Sequence, residues 1–244
     1  MRGRGVAPVC DSDRVTTDDR RAEVRAAIRQ AVSVSVATGL YGVSFGALAV
    51  AAGLDLLQTM ALSLLMLSGG SQFAFIGVVG GGGAYGAAVA TAGLLGVRNG
   101  LYGVQVAPLL GARGVRRAVA AQLTIDESTA VGTAHADPQA ARAGFWWTGV
   151  GVFVLWNTFT VAGALLGDAL GDPRRYGLDA AAAAAFLALV WPRLATGPAR
   201  VVAAVAVVVA LALTPLAPAG IPVLAAAAVA IVLGWRTPAH EAHA

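Results

Sequence analysis

The chain has 244 residues, of which 57% are hydrophobic and only 12% are charged, and its mean hydropathy is +0.72. A soluble domain carries about a quarter charged residues, so the composition excludes that class and indicates an all-α polytopic membrane protein. All 17 basic residues are arginine, and seven of them lie in the first 30 positions. The net charge of +4 therefore follows the positive-inside pattern of membrane proteins, which explains it better than nucleic-acid binding does.

An arginine-rich leader opens the chain. Residues 1–30 mix acids with bases, and the apolar run that follows is too long for a signal peptide. We expect a cytoplasmic leader, with a short surface helix over 20–30. A transmembrane domain over 31–236 and a short polar tail over 237–244 follow. The single cysteine, Cys10, excludes an internal disulfide.

Eight apolar segments follow the leader, and six to eight of them should cross or enter the bilayer. They cover 31–52, 56–79, 84–110, 118–136, 144–170, 179–190, 201–213 and 222–233. With the N-terminus inside, simple alternation would place the arginines of 113–117 outside. The conflict disappears if 56–79 is a re-entrant hairpin entered from the external side, which puts 113–117 inside and 137–143 outside.

A second re-entrant segment is predicted at 179–190, because 12 residues of helix rise only about 18 Å against ~30 Å of hydrocarbon. With both re-entrant segments, the turns at 80–83 and 214–222 lie on the external side. A short similarity links the two segments, since Gly46-Ala-Leu and Gly53-Leu-Asp recur as Gly163-Ala-Leu and Gly177-Leu-Asp. Three spans would separate the copies, so they would lie in opposite orientations, as in the inverted repeats of secondary transporters. Chance coincidence is the alternative in a chain so rich in glycine, alanine and leucine.

The centre of segment 56–79 holds the first candidate site. Adjacent glycines weaken a helix, and polar groups at membrane depth need partners, so the helix should break here and line a cavity. Ser71 would be the N-cap of the second half-helix, whose positive end suits a carboxylate. The alternative is close helix packing by small residues, which also explains the glycine pairs at 42/46, 96/100 and 163/167. The candidate residues are Ser68, Gly69, Gly70, Ser71, Gln72 and Phe73.

Two further pairs of adjacent polar residues lie inside apolar segments. Asp126 and Glu127 could bind an ammonium group or carry a coupling proton; the alternatives are an aqueous helix end or an ion pair with Arg98. Arg98 and Asn99 form the second pair. Arg98 could receive a carboxylate or balance the acids, and Tyr102 shares its helix face.

Signatures of catalysis are missing from the sequence. It has no Gly-Lys-Ser/Thr phosphate loop and no catalytic constellation, so we expect neither an enzyme nor a cofactor. The energy for any transport would have to come from an ion or solute gradient or from a separate subunit.

With these residues in place, the chain resembles the AzlC family of branched-chain amino acid permeases. The matching stretches begin at Gly39 (GLYGVSFG), Ser68 (SGGSQF), Val97 (VRNGLYG), Thr124 (TIDES) and Gly177 (GLD, through Phe186). The resemblance implies the large subunit of an exporter of leucine, isoleucine and valine that works with a small membrane subunit, AzlD. Two departures are notable: Val43-Ser44 stand where the family often has a proline, and Asn99 where it often has histidine, which weakens a proton role there.

The sequence therefore predicts a secondary exporter of branched-chain or similar apolar amino acids in the bacterial inner membrane. The substrate carboxylate would meet the half-helix start at 71–73, its ammonium would face Asp126 or Glu127, and its side chain would lie against Phe45 and Phe73. The alternative is a non-transporting scaffold or regulatory subunit, in which the polar residues at 71, 72, 126 and 127 would be dispensable.

Overall fold

The computed structural model describes residues 17–170 and 190–236 and, between them, positions 175, 177, 180, 184 and 187. Every regular element in that part of the chain is helical, as predicted. The elements are α1 (Thr17–Ala51), α2 (Leu56–Leu65), α3 (Gly69–Gly80), α4 (Tyr85–Leu110), α5 (Gly114–Gln122), α6 (Asp126–Thr133), α7 (Pro138–Leu170), a 3-10 turn (Trp191–Ala195), α8 (Gly197–Leu213) and α9 (Ile221–Arg236). The hairpin predicted at 179–190 lies largely outside the described residues.

Two of these helices are long and apolar enough to cross a membrane. They are α1 and the Pro138–Gly167 part of α7, and α2, α3, α8 and α9 are shorter apolar helices. Since α1 is one uninterrupted helix, the separate surface helix expected over 20–30 is instead its first part. At 1.5 Å per residue, its 35 residues extend about 52 Å, well beyond a ~30 Å hydrocarbon core.

Glycines bring α1 and α7 into direct backbone contact at the centre of the fold. A Cβ added at Gly42 would lie 2.6 Å from the carbonyl oxygen of Trp156, and one at Gly46 would collide with the carbonyl of Thr160. Gly163 and Gly167 meet α1 in the same way, which confirms the packing interpretation of these two glycine pairs. Gly96 and Gly100 make no such approach: a Cβ at Gly100 would have open space around it.

The register of these contacts fixes the direction of α7. Ser35 donates a hydrogen bond to the carbonyl of Thr148 (3.3 Å), and further along Gly167 packs against Ala47. Residue numbers rise together on the two helices, so α1 and α7 are parallel. The opposite orientation predicted for the segments holding Gly46 and Gly163 is therefore wrong. We call the end where α1 and α7 begin the lower end, and the end where they finish the upper end.

Helices α2 and α3 form a hairpin that starts and finishes at the upper end. Gly80, the last residue of α3, lies against Ala52, only four residues before α2 begins. Between them the chain turns at 66–68 near the middle of α7, where a Cβ at Gly69 would lie 3.0 Å from the ring of Trp156. The predicted interruption of segment 56–79 is confirmed.

Helices α5 and α6 form a second hairpin, from the lower end. Arg116 in α5 lies 5.3 Å from the ring of Trp146, and Gly132 near the end of α6 packs against the neighbouring Phe145. The turn between them lies deeper, where Leu123 contacts Gly149. Segment 118–136 is thus a broken helix, not the single span predicted, because Thr124 and Ser128 direct their hydroxyls to the carbonyls of Ala120 and Leu123 and replace helical backbone bonds.

Because of this second hairpin, the loop after α6 lies at a different end of the bundle from the one predicted. His135, just after α6, lies 3.2 Å from the Gln30 side chain, and Arg20 pairs with Asp137 at 3.3 Å. Loop 134–137 therefore lies at the lower end with the start of α1, and Arg142 binds the carbonyl of Leu109 there. The prediction that 137–143 and 113–117 lie on opposite sides is wrong.

The loops at the upper end agree with the prediction. A Cβ at Gly83 would lie 2.6 Å from the carbonyl oxygen of Ala219, so the turns after α3 and after α8 are neighbours. Both were expected on one side of the membrane.

A five-residue repeat matches this architecture better than the similarity noted above. The sequence Gly-Leu-Tyr-Gly-Val occurs at 39–43 in α1 and again at 100–104 in α4. Helix α4 runs downward, since Tyr85 shares a surface groove with Leu54 at the upper end and Leu109 lies at the lower end. Each copy thus lies on a long helix followed by a hairpin, and the two units point in opposite directions.

Candidate functional site

The turns of the two hairpins meet at mid-height and enclose a cavity of about 220 Å³. Its volume lies below the ~300–1,000 Å³ of sites for drug-sized ligands, so it suits a small metabolite. Its walls come from α1, both hairpin turns, α4 and α7. The lining residues are Thr38, Tyr41, Leu67, Ser68, Gly69, Gly70, Phe73, Arg98, Ile125, Asp126, Glu127, Val152 and Trp156.

The charged wall is built around Asp126. One of its carboxylate oxygens lies 2.7 Å from Nη2 of Arg98, and the other accepts a 2.7 Å hydrogen bond from the Tyr102 hydroxyl. The side chains of Arg98 and Asp126 are only 23% and 18% exposed, so little water screens the pair. The ion pair that was one alternative for Arg98 is confirmed, and both oxygens of Asp126 already have partners.

Glu127 lies beside this pair with a different environment. It is partly buried, and it lines the cavity together with Thr38 of α1, which lies near its carboxylate. Within the described part of the chain it makes no ion pair. Both acids occupy the first turn of α6, where the helix dipole stabilises negative charge. Glu127 is therefore the carboxylate that remains available to a cation in the cavity.

The start of α3 forms the opposite polar wall. Ser68, Gly69 and Gly70 line the cavity, and no side chain caps the helix start. The N-cap is Ser68, so the prediction of Ser71 as N-cap is wrong. Ser71 lies within the first turn instead, where its buried hydroxyl accepts a 3.3 Å hydrogen bond from that of Ser68. The first backbone N–H groups of α3 have no partner inside the helix and can receive an anion.

Gln72 faces away from the cavity and holds the turn together. It is completely buried; its amide nitrogen donates to carbonyls at the end of α2, and its amide oxygen accepts from Nε1 of Trp156 at 3.0 Å. These bonds occupy both ends of the amide, so Gln72 contributes to the site by fixing the break and orienting the indole.

The remaining walls are apolar. Phe73, Val152 and Trp156 line the cavity, with Phe73 and Trp156 in edge contact at a centroid distance of 6.3 Å. Phe45, predicted to contact the substrate, stacks behind them at 6.0 Å from Trp156 and is not part of the wall. Asn99 also lies outside the lining, and its side-chain oxygen is buried without a partner among the described residues.

Several lining residues were missed by the sequence reasoning, chiefly Thr38, Tyr41 and Val152. The repeat of Gly-Leu-Tyr-Gly-Val could have identified Tyr41, because its counterpart Tyr102 also reaches the site. The sequence around Thr38 and Val152 does not indicate a binding site. These residues line the cavity because α1 packs on α7.

Comparisons with known proteins give one family. The model of the family described as AzlC protein matches residues 33–170, which contain both hairpins and every residue that lines the cavity. A search of curated proteins and a search of solved structures each found no match.

Proposed function

Since the chain belongs to the AzlC family, whose matched residues 33–170 include the whole cavity, we propose that it exports branched-chain or similar apolar amino acids. The family is associated with branched-chain amino acid transport. The observation that carries the proposal is a small cavity that offers an anion site, a cation site and an apolar wall together. A zwitterion with an apolar side chain needs these three features.

The structure suggests one pose for such a substrate. Its carboxylate would accept hydrogen bonds from the backbone at Gly69 and Gly70, at the positive end of α3. Its ammonium would pair with Glu127, because Asp126 is already bound by Arg98 and Tyr102. Its branched side chain would then lie against the apolar wall of the cavity.

The arrangement of hairpins supports a re-entrant topology. Two helical hairpins that meet at mid-height from opposite ends, with polar turns, resemble the broken helices around which secondary transporters build their sites. Arginines at 113, 116, 117 and 142 lie at the lower end with the start of α1, which supports a cytoplasmic lower end and N-terminus in the bacterial inner membrane.

The proposal includes a small AzlD-like membrane subunit as the partner of this chain. Apolar side chains project from α4, where Leu101 and Val104 are 67% and 75% exposed, and a membrane partner or lipid must cover them. Copurification of the chain with a ~100-residue hydrophobic protein encoded beside it would support this part.

Export is tested by amino acid efflux from cells that lack or overproduce the chain together with that neighbouring subunit. Deletion should raise intracellular leucine, isoleucine or valine after a dipeptide load, and the Glu127→Gln variant should fail to restore efflux. Asp18→Asn is the matched control, since Asp18 is exposed at the start of α1. Unchanged efflux of every amino acid in the deletion strain would contradict the proposal and favour a scaffold or regulatory subunit.

A further inference from the structure

A second and larger cavity lies between α4 and α5. Its volume is about 660 Å³, against 220 Å³ for the central cavity, and it opens on the surface of the bundle. Its floor is made of small side chains, among them Gly100, Gly103, Ala107 and Ala121. The pose proposed for the substrate does not use this groove.

The lower mouth of the groove is cationic. Arg113 and Arg117 line it and are exposed, and the residues that line it include no carboxylate. Arg116 is directed elsewhere, because its guanidinium lies over the Trp146 ring. Helix α5 begins at this mouth without a side-chain cap, so its first N–H groups add to the positive potential.

The length of the groove matches one membrane leaflet. From Gly111 at the mouth to Gly100 at its inner end, α4 rises 11 residues, or about 16 Å. The hydrocarbon core of a bilayer is ~30 Å thick, so half of it is about 15 Å. The groove therefore offers a smooth apolar channel of one leaflet's depth beneath two guanidinium groups.

We propose that this groove binds an anionic phospholipid, with the phosphate at Arg113 and Arg117 and an acyl chain along Gly100, Gly103 and Ala107. Basic pockets between helices are the usual sites for anionic head groups on the cytoplasmic side of membranes. The chain of the lipid would fill the space between α4 and α5 and support the hairpin that carries Asp126 and Glu127. The proposal does not depend on the identity of the transported substrate.

The experiment uses the purified full-length chain in detergent, stripped of lipid, with binding followed by native mass spectrometry. Phosphatidylglycerol should bind more tightly than phosphatidylcholine, and glycerol phosphate, which has no acyl chain, should bind far more weakly. The double variant Arg113→Gln/Arg117→Gln should bind phosphatidylglycerol about 30-fold more weakly. Each arginine contributes ~1 kcal/mol to the binding of an anionic lipid, and ~1.4 kcal/mol corresponds to a tenfold change in affinity. The control Arg21→Gln/Arg25→Gln removes the same charge from the exposed start of α1 and should leave binding unchanged.

A second variant tests the acyl-chain part without a change of charge. Gly103→Leu fills the groove, and a Cβ there meets no atom within 4 Å, so the fold should tolerate it. It should weaken phosphatidylglycerol binding and leave glycerol phosphate binding unchanged. Equal binding of the two lipids, wild-type binding by the arginine double variant, or glycerol phosphate binding as tight as phosphatidylglycerol would each overturn the proposal. Loss of copurification with the small subunit in Gly103→Leu, with lipid binding intact, would overturn it in favour of a protein partner.

Discussion

The two adjacent acids of the cavity should respond in opposite ways to neutralisation. Glu127→Gln removes the carboxylate proposed to bind the substrate ammonium and leaves every ion pair of the described residues intact. A hydrogen bond to a charged group contributes about 1.5–3 kcal/mol, which corresponds to a loss of roughly 10- to 150-fold in substrate affinity. Thermal stability should change little, because the amide still fits beside Thr38.

Asp126→Asn should instead destabilise the fold. The substitution leaves Arg98 partly buried without its carboxylate, and breaking a buried pair costs about 3–5 kcal/mol. The residual exposure of both side chains places the expected loss near 3 kcal/mol. Replacing the pair together, as Arg98→Met with Asp126→Leu, should recover most of that stability, since no charge is then left unpaired.

Both quantities are measurable on purified protein. Substrate affinity is followed by binding of labelled leucine, and stability by the midpoint of thermal unfolding in the same detergent, with Asp18→Asn as the charge-matched control. The reasoning is refuted if Glu127→Gln lowers the unfolding midpoint as much as Asp126→Asn does. It is equally refuted if Asp126→Asn weakens binding at unchanged stability while Glu127→Gln binds normally.

Three further predictions concern the scaffold. Gly163→Ala should destabilise the fold in thermal unfolding because its Cβ collides with the α1 backbone, whereas Gly93→Ala, with open space, should be neutral or stabilising by up to ~1 kcal/mol. Gln72→Leu should cost about 3 kcal/mol in the same assay, because it leaves an indole N–H and buried carbonyls unpaired. In a cysteine-free background, single cysteines at Gly82 and Gln139 should label from opposite sides of the membrane, since these positions lie at opposite ends of the bundle.

Each of these predictions has a contradicting outcome. Equal stability of the two glycine variants would contradict the close approach of α1 and α7. A Gln72→Leu protein as stable as the wild type would contradict the role of the amide in the turn. Labelling of both cysteines from the same side would contradict the parallel arrangement of α1 and α7.

The first hairpin was predictable from sequence and the second was not, for a physical reason. Ser68-Gly-Gly-Ser interrupts an apolar run with residues that weaken a helix, so the break has a local cause. The second turn, Leu123-Thr-Ile125, contains no glycine or proline, and Thr and Ile remain compatible with a helix. It forms because hydroxyls at 124 and 128 compete for backbone carbonyls, a local effect whose outcome depends on tertiary packing.

The missed break in segment 118–136 also made part of the predicted topology wrong. Treating 118–136 as one span reversed the predicted direction of α7, which was therefore expected antiparallel to α1. An ion pair of Arg98 with one of the two acids was among the alternatives predicted, because opposite charges inside apolar segments need partners. The sequence did not predict which of the two acids pairs with Arg98, since that depends on which carboxylate the Tyr102 hydroxyl reaches.

The two hairpins are not independent, because the first takes hydrogen-bond donors from the second as well as from its own residues. A helix that ends inside the bundle leaves its last carbonyls without intrahelical partners. At the end of α2, Gln72 donates to the carbonyls of Leu62 and Ser63, and Gln122 from the opposite hairpin donates to those of Leu64 and Leu65, the first at 2.9 Å. The start of α3 and the acids at the start of α6 are therefore held in register by hydrogen bonds between the two hairpins. Moving either hairpin away from the other would break the hydrogen bonds of Gln122, so the two polar walls of the cavity, at the start of α3 and the start of α6, are positioned together.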